Sequence, residues 1–337
     1  MVICILYFFI IHFSLKILNV NIIMKKNILY AILLATGAMT LGACSSDDPD
    51  EGKSVIVTPN EEQTEFDKWL EVNFATPYNI DFKYRYKETE SDYDYYTVPA
   101  KYNDAIKMAH LVKYLCVETY DEVAGTDFTR RYFPKMFFLI GEWEYRNNGT
   151  YILGTAEGGR KILLAGLNYL SDNIAKGPEY MNYFYFKTIH HEFTHIMNQT
   201  KEIPADFQLV TGDKYVGDMW SEEPYDKEYL ANGFITAYSQ NSYQEDFAEM
   251  LSTYITNDAS QWEEWLEEAD KAAAEKAKKT GEEKTAPSEL LSSKLDIVRR
   301  YMKESFNIDI DVLRETVQRR QADVFAGKVD LTDITVK

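Results

Sequence analysis

The stretch 189–200, I-H-H-E-F-T-H-I-M-N-Q-T, constrains this chain more than any other. No Gly or Pro interrupts 179–200, and the run 180–189 ahead of it is apolar and aromatic, so the spacing predicts a buried helix. Within it, His191-Glu192-Phe193-Thr194-His195 has the pattern H-E-x-x-H. On an α-helix positions i and i+4 share one face, so the imidazoles of His191 and His195 can converge on one metal ion. Glu192 is rotated about 100° from His191. From there its carboxylate can reach an attacking water beside the metal without binding the metal, which is the position of a general base.

A catalytic zinc site takes three protein ligands and keeps one position open. No histidine follows His195, and the metzincin extension, which needs Gly at 198 and His at 201, meets Asn198 and Lys201. A carboxylate must therefore complete the set. The candidates are Asp213, Asp218, Glu222, Glu223, Glu228, Glu245, Asp246 and Glu249. Those in 213–228 lie in irregular sequence. Glu245 and Glu249 stand one turn apart on a helix predicted over 245–256, with Phe247, Met250, Leu251 and Tyr254 on one face. That spacing lets one carboxylate bind metal while the other supports a ligating imidazole. His110 stands alone in another predicted helix and reads as structural.

Around this motif the pattern is α+β, a small mixed sheet before the H-E-x-x-H helix and a helical C-terminal half. An amphipathic helix is predicted over 61–74 and ended by Pro77, then a strand over 79–86 and a helix over 101–122. Further strands are expected at 136–145, 151–153 and 161–167, with turns at Asn147-Asn148-Gly149 and Gly158-Gly159. The stretch 200–242 reads as irregular. Helices follow over 245–256, 261–283 (highly charged and solvated), 287–306 and 309–325, the last presenting Arg319-Arg320 as a solvated face.

The N-terminus carries two apolar runs. Met24-Lys25-Lys26 opens the second, which continues over 28–41 and ends in Leu41-Gly42-Ala43-Cys44, a secretory signal with a lipobox-like end. Residues 1–43 are thus a signal region, with the natural start expected at Met24. Cys44 is the expected lipidation site, 44–54 an acidic flexible tether, 55–326 the folded domain and 327–337 a C-terminal tail. With Cys44 acylated, Cys116 has no thiol partner, and it reads as a buried small hydrophobe. The net charge of −18 argues against nucleic-acid binding.

Two resemblances sharpen this reading. Tyr238, seven residues before the first Glu of Glu245-Asp246-Phe247-Ala248-Glu249, is similar to the C-terminal site of gluzincins of the anthrax lethal factor type. That resemblance implies Glu245 as third zinc ligand, Tyr238 as the hydroxyl that supports the transition state, and Glu249 as a residue buttressing the ligands. The lipobox, the strand pattern F-x-x-P-Y-N-I-x-x-x-Y-R at 74–85, H-E-F-T-H and E-D-F-A-E together resemble the substrate import-associated zinc metallohydrolase lipoproteins. This resemblance spans most of 44–320. It implies a zincin-like fold, bound Zn²⁺, and a peptidase acting on a peptide or protein. It also implies an outer-membrane lipoprotein at the surface of a Gram-negative bacterium, beside a TonB-dependent importer of Sus type and its surface binding lipoprotein. The competing class is a catalytically inactive zinc-containing module that captures peptides or glycans for an importer. The intact Glu192 weighs against it, since capture needs no base.

The mature protein is expected to begin at Cys44, and Cys44→Ala to leave it unlipidated. Intact-mass spectrometry of membrane-extracted protein checks this. A mass retaining residues ahead of Cys44 would be the contrary result.

Overall fold

A computed structural model describes residues 62–147, 149–281 and 286–336. The signal region, Cys44, the tether and Asn148 lie outside the described residues. No helix among the described residues is long and apolar enough to cross a membrane.

The architecture is α+β. Four strands form one sheet in the order β1-β2-β6-β5: β1 (Asp81–Lys83), β2 (Met136–Leu139), β5 (Gly154–Glu157) and β6 (Lys161–Leu164). β1, β2 and β6 run parallel, in the register Phe82↔Phe137↔Ile162, while β5 pairs antiparallel to β6 at the edge. Parallel neighbours require a crossover, and the helices between 102 and 132 supply the first one. β5 turns into β6 through Glu157–Arg160, where Gly158 and Gly159 take φ of +57° and +66°, the left-handed pair that a type I′ turn demands. A separate ribbon pairs β3 (Glu144–Tyr145) with β4 (Tyr151–Ile152).

Several elements depart from the pattern reading. The strand expected over 79–86 pairs only at Asp81–Lys83, opposite Met136, Phe137 and Phe138 of β2. The strand expected over 136–145 breaks after Leu139. A Cβ at Gly141 would meet the Pro99 carbonyl and the Asn168 amide at 2.3 Å each, so the chain leaves the sheet against them. β5 was not foreseen, since Gly154-Thr155-Ala156 carries little apolar signal. Pro77 does not end the first helix. The helix runs on from Glu65–Leu70 through a π-helical turn, Glu71–Ala75, to Thr76–Tyr78, and stops at left-handed Asn79. The stretch 200–242 contains a helix, Ala205–Thr211, whose Phe207 packs on Phe247. The charged helix Ala259–Thr280 is not wholly solvated, as it buries Trp262, Ala269 and Ala273.

Arg320 is buried rather than solvated. Its guanidinium bonds Glu118, Glu122 and the Tyr114 carbonyl, bolting the helix Ile310–Phe325 to the helix Glu118–Ala124. His110 packs at a tilt against Trp69, with ring centroids 4.3 Å apart, Cys116 is fully buried, and Val329, Leu331 and Ile334 of the tail pack against the core.

Glu144 on β3 is 2% exposed, and its Oε1 has no hydrogen-bond partner among the described residues. Burial, reinforced by Asp92 and Glu157, pushes this carboxyl up to about 7. An acid whose pKa rises on folding takes up protons on folding. Stability is therefore greatest below the ordinary glutamate range and falls as the pH climbs toward 7. The loss is on the order of 1–3 kcal/mol. Urea denaturation between pH 5 and 8 should show a flatter profile for Glu144→Gln than for wild type. An unchanged slope would exclude Glu144 as its source.

Candidate metal centre

The helix Lys187–Thr200 follows a π-helical turn, Asn182–Phe186, and two of its faces meet different surroundings. One face enters an aromatic core. Phe193 contacts Tyr120 and Phe133, each at 4.9 Å between ring centroids. His190 Nδ1 lies 3.1 Å from the Tyr120 hydroxyl, and burial pushes this imidazole down to about 4, a neutral core residue. The face about 100° away carries His191 and His195, whose Nε2 atoms lie 3.0 Å apart. β5 presses close to this helix: a Cβ at Gly154 would meet Thr188 Cγ2 at 2.7 Å.

The helix Tyr243–Thr256 packs alongside, its N-terminus capped by Ser242, whose Oγ accepts the Glu245 N–H at 3.3 Å. Glu245 Oε2 lies 2.9 Å from His191 Nε2 and 3.1 Å from His195 Nε2. Among the described residues this is the one group of His, Cys, Asp and Glu side chains whose donor atoms converge in this way. The remaining carboxylates considered do not join it. Asp213, Asp218, Glu222 and Glu223 are exposed, and Glu228 pairs with Lys276.

The donor set and its size both suit zinc. Two imidazoles and one carboxylate form a triangle with edges of 2.9, 3.0 and 3.1 Å. Tetrahedral zinc with bonds of about 2.0–2.1 Å separates its ligands by roughly 3.4 Å, so only small adjustments separate the two. Electrostatics agree. Burial alone would lower the His191 pKa, but Glu245 and Glu249 raise it to about 10. Burial alone would raise that of Glu245, but the hydrogen bonds from His191 and His195 hold it at about 2. Imidazole and carboxylate thus hold one another in their charged forms.

Glu192 is buried beside them. Burial pushes its carboxyl up against the pull of His191 and His195, and the Ala156 N–H of β5 donates to it. The Tyr238 ring lies 6.0 Å from that of His191 and meets Trp220 edge-on at 5.0 Å. Its hydroxyl is held well above the ordinary range by burial and by Glu245, Glu192 and Glu249. Glu249 is 3% exposed and places Oε1 2.8 Å from His191 Nδ1, at an angle too oblique for a linear hydrogen bond. Lys187 and Thr236 also contact Glu249. Sequence reasoning missed both. Lys187 could have been found, standing one turn before His191 on the same helical face. Thr236 and Trp220 lie in irregular sequence, where spacing says nothing about direction.

Asp246 points elsewhere. Its Oδ2 accepts from Lys294 Nζ at 2.6 Å, with both side chains 0% exposed, and from the Tyr215 hydroxyl at 2.9 Å. Lys294 also donates to the Gly233 carbonyl and sits 4.0 Å over the Phe234 ring.

Residues 59–311 match the family described as "Putative zinc-binding metallo-peptidase", and the chain belongs to that family. A crystal structure of a "putative zinc-binding metallo-peptidase" from Bacteroides caccae ATCC 43185 is 38% identical in sequence. The likeness covers 84% of this chain and all of that one, with a TM-score of 0.65. No curated protein matches the chain. Zinc is the cofactor of the family so described.

Breaking the buried Asp246–Lys294 pair from one side strands a charge next to the Glu245 turn. Lys294→Met is expected to lower the unfolding free energy by about 3–5 kcal/mol. Asp246→Asn combined with Lys294→Met should lose clearly less than the two single losses together. Urea denaturation of the four proteins measures the coupling, and additivity would show that the two residues act independently.

Proposed function

We propose that this chain is a zinc-dependent peptidase of gluzincin type with a zincin-like fold. His191, His195 and Glu245 hold the metal. The observation that carries this reading is the three-atom convergence of two helices, with Glu192 and Tyr238 beside it.

Zinc, when bound, supplies Lewis-acid polarisation of a carbonyl and lowers the pKa of water. The protein's own groups do the rest. Glu192, whose carboxyl burial makes more basic than an exposed one, accepts the proton of the attacking water and can return it to the leaving amine. The Tyr238 hydroxyl, kept protonated by burial and by the carboxylates around it, donates to the oxyanion that forms at the cleaved carbonyl. β5 is the terminal strand of its sheet and touches Glu192 through Ala156, so an extended peptide can add to it as a further strand.

The same proposal extends to location. The lipobox-like run ending at Cys44 supports a lipoprotein, and the acidic tether after it, similar to the surface-export signal of some outer-membrane lipoproteins, supports the surface of a Gram-negative bacterium. A peptide or protein substrate, and a TonB-dependent importer of Sus type with its surface binding lipoprotein, are the partners this implies.

Elemental analysis should find about one zinc per chain, lost in His191→Ala and His195→Ala. Glu192→Gln should keep zinc and abolish hydrolysis of a peptide library, whereas Glu245→Ala should weaken zinc binding itself. Tyr238→Phe should keep zinc and lower kcat by roughly 10²–10³. A Glu245→Ala variant that binds zinc as tightly as wild type would overturn the ligand set.

A further inference from the structure

Three groups contact the Glu249 carboxylate, two from the motif helix and one from the turn ahead of Tyr238. Lys187 Nζ, on the motif helix, donates to Oε1 at 3.1 Å and to Oε2 at 2.8 Å. Thr236 Oγ1 donates to Oε2 at 2.6 Å. His191 Nδ1 lies 2.8 Å from Oε1. Thr236 in turn accepts the backbone N–H of Ser239, the residue after Tyr238. One buried carboxylate therefore joins the motif helix, the Glu245 helix and the turn that bears Tyr238.

A neutral imidazole carries its proton on one nitrogen and can ligate only through the other. With the Glu249 carboxylate 2.8 Å from Nδ1, its charge favours the tautomer that keeps the proton on Nδ1 and leaves Nε2 free, without a well-aligned hydrogen bond. The hold must be rigid, because Glu249 is one turn from Glu245 and a free carboxylate there could swing toward the metal in place of its neighbour. Lys187 prevents this by engaging both oxygens at once. It also offsets the third of three carboxylates gathered here, Glu192, Glu245 and Glu249, which would otherwise repel one another.

We propose that Lys187 and Thr236 are positioning residues of the metal centre, clamping Glu249 so that His191 presents Nε2 to the ion. This inference rests on the reading of His191, His195 and Glu245 as the zinc ligands. Neither Lys187 nor Thr236 touches metal or substrate. Their effect passes through Glu249 to His191.

The test uses the folded protein with zinc alone as ligand. Zinc affinity is measured by competition with a chromogenic chelator. The visible absorption of the cobalt(II)-substituted protein serves as an independent readout of ligand geometry. Lys187→Met should lose about 10–100-fold in zinc affinity and shift the cobalt bands, with an unchanged far-UV circular dichroism spectrum. Lys187→Arg should restore most of the affinity. In a Glu249→Gln background, Lys187→Met should have no further effect. A purely structural ion pair would lower stability and leave the affinity of the folded protein and the cobalt bands alone. That result overturns the proposal, as does a Lys187→Met effect undiminished in Glu249→Gln. Should Lys187→Met not fold, Thr236→Val, which removes a single hydroxyl, carries the test. A loss of about 3–10-fold is expected, and unchanged affinity overturns the proposal. Wild type that takes up no zinc would instead overturn the reading of the site itself, and this inference with it.

Discussion

Burying a carboxylate costs several kcal/mol unless cations and donors meet it inside the fold. The helix Tyr243–Thr256 buries or half-buries three: Glu245, Asp246 and Glu249. Each has its own set of partners, two of them drawn largely from the motif helix. Glu245 faces the two histidines, Asp246 faces Lys294 and Tyr215, and Glu249 faces Lys187, Thr236 and His191. The helix cannot rotate or slide along its neighbours without stranding at least one of these charges. Its register against the motif helix, and so the geometry of the donor triangle, follows from that constraint.

The motif helix is fixed from its other side by shape rather than charge. Phe193 is wedged among Tyr120, Phe128 and Phe133, and Tyr185 reaches from the preceding π-helical turn to the Gly166 carbonyl at 2.8 Å. Gly166 itself is required there. It has φ of +70°, and a Cβ would strike the Trp143 ring at 2.2 Å. Aromatic packing against one face therefore points His191 and His195 toward the carboxylate helix, while close approach of β5 at Gly154 brings the sheet edge to Glu192.

Helical periodicity was the most legible layer of the sequence. The segments 287–306 and 309–325 differ from the helices Pro287–Phe306 and Ile310–Phe325 by at most one residue at an end, because a one-sided apolar stripe needs only its own helix to be read. The sheet was legible in part. Alternation at 79–86 marked a strand, of which only Asp81–Lys83 pairs with β2. The edge strand β5 and the helix Ala205–Thr211 were missed because small or mixed residues carry little periodic signal. Arg320 was misread because sequence does not show that Glu118 and Glu122, some two hundred residues earlier, come to meet it.

By itself the sequence determined that His191 and His195 share a helical face with Glu192 beside them. That relation follows from 3.6 residues per turn and needs no other part of the chain. The step from many acidic residues to one convergent carboxylate was different. Glu245, Asp246 and Glu249 sit within five positions on one helix and are chemically almost alike. Only the packing of that helix decided which faces the histidines, which is neutralised by Lys294 and which is clamped by Lys187. Charge pairing across elements distant in sequence is a property of the assembled fold, because the partner's approach direction is set by tertiary packing and not by spacing along the chain.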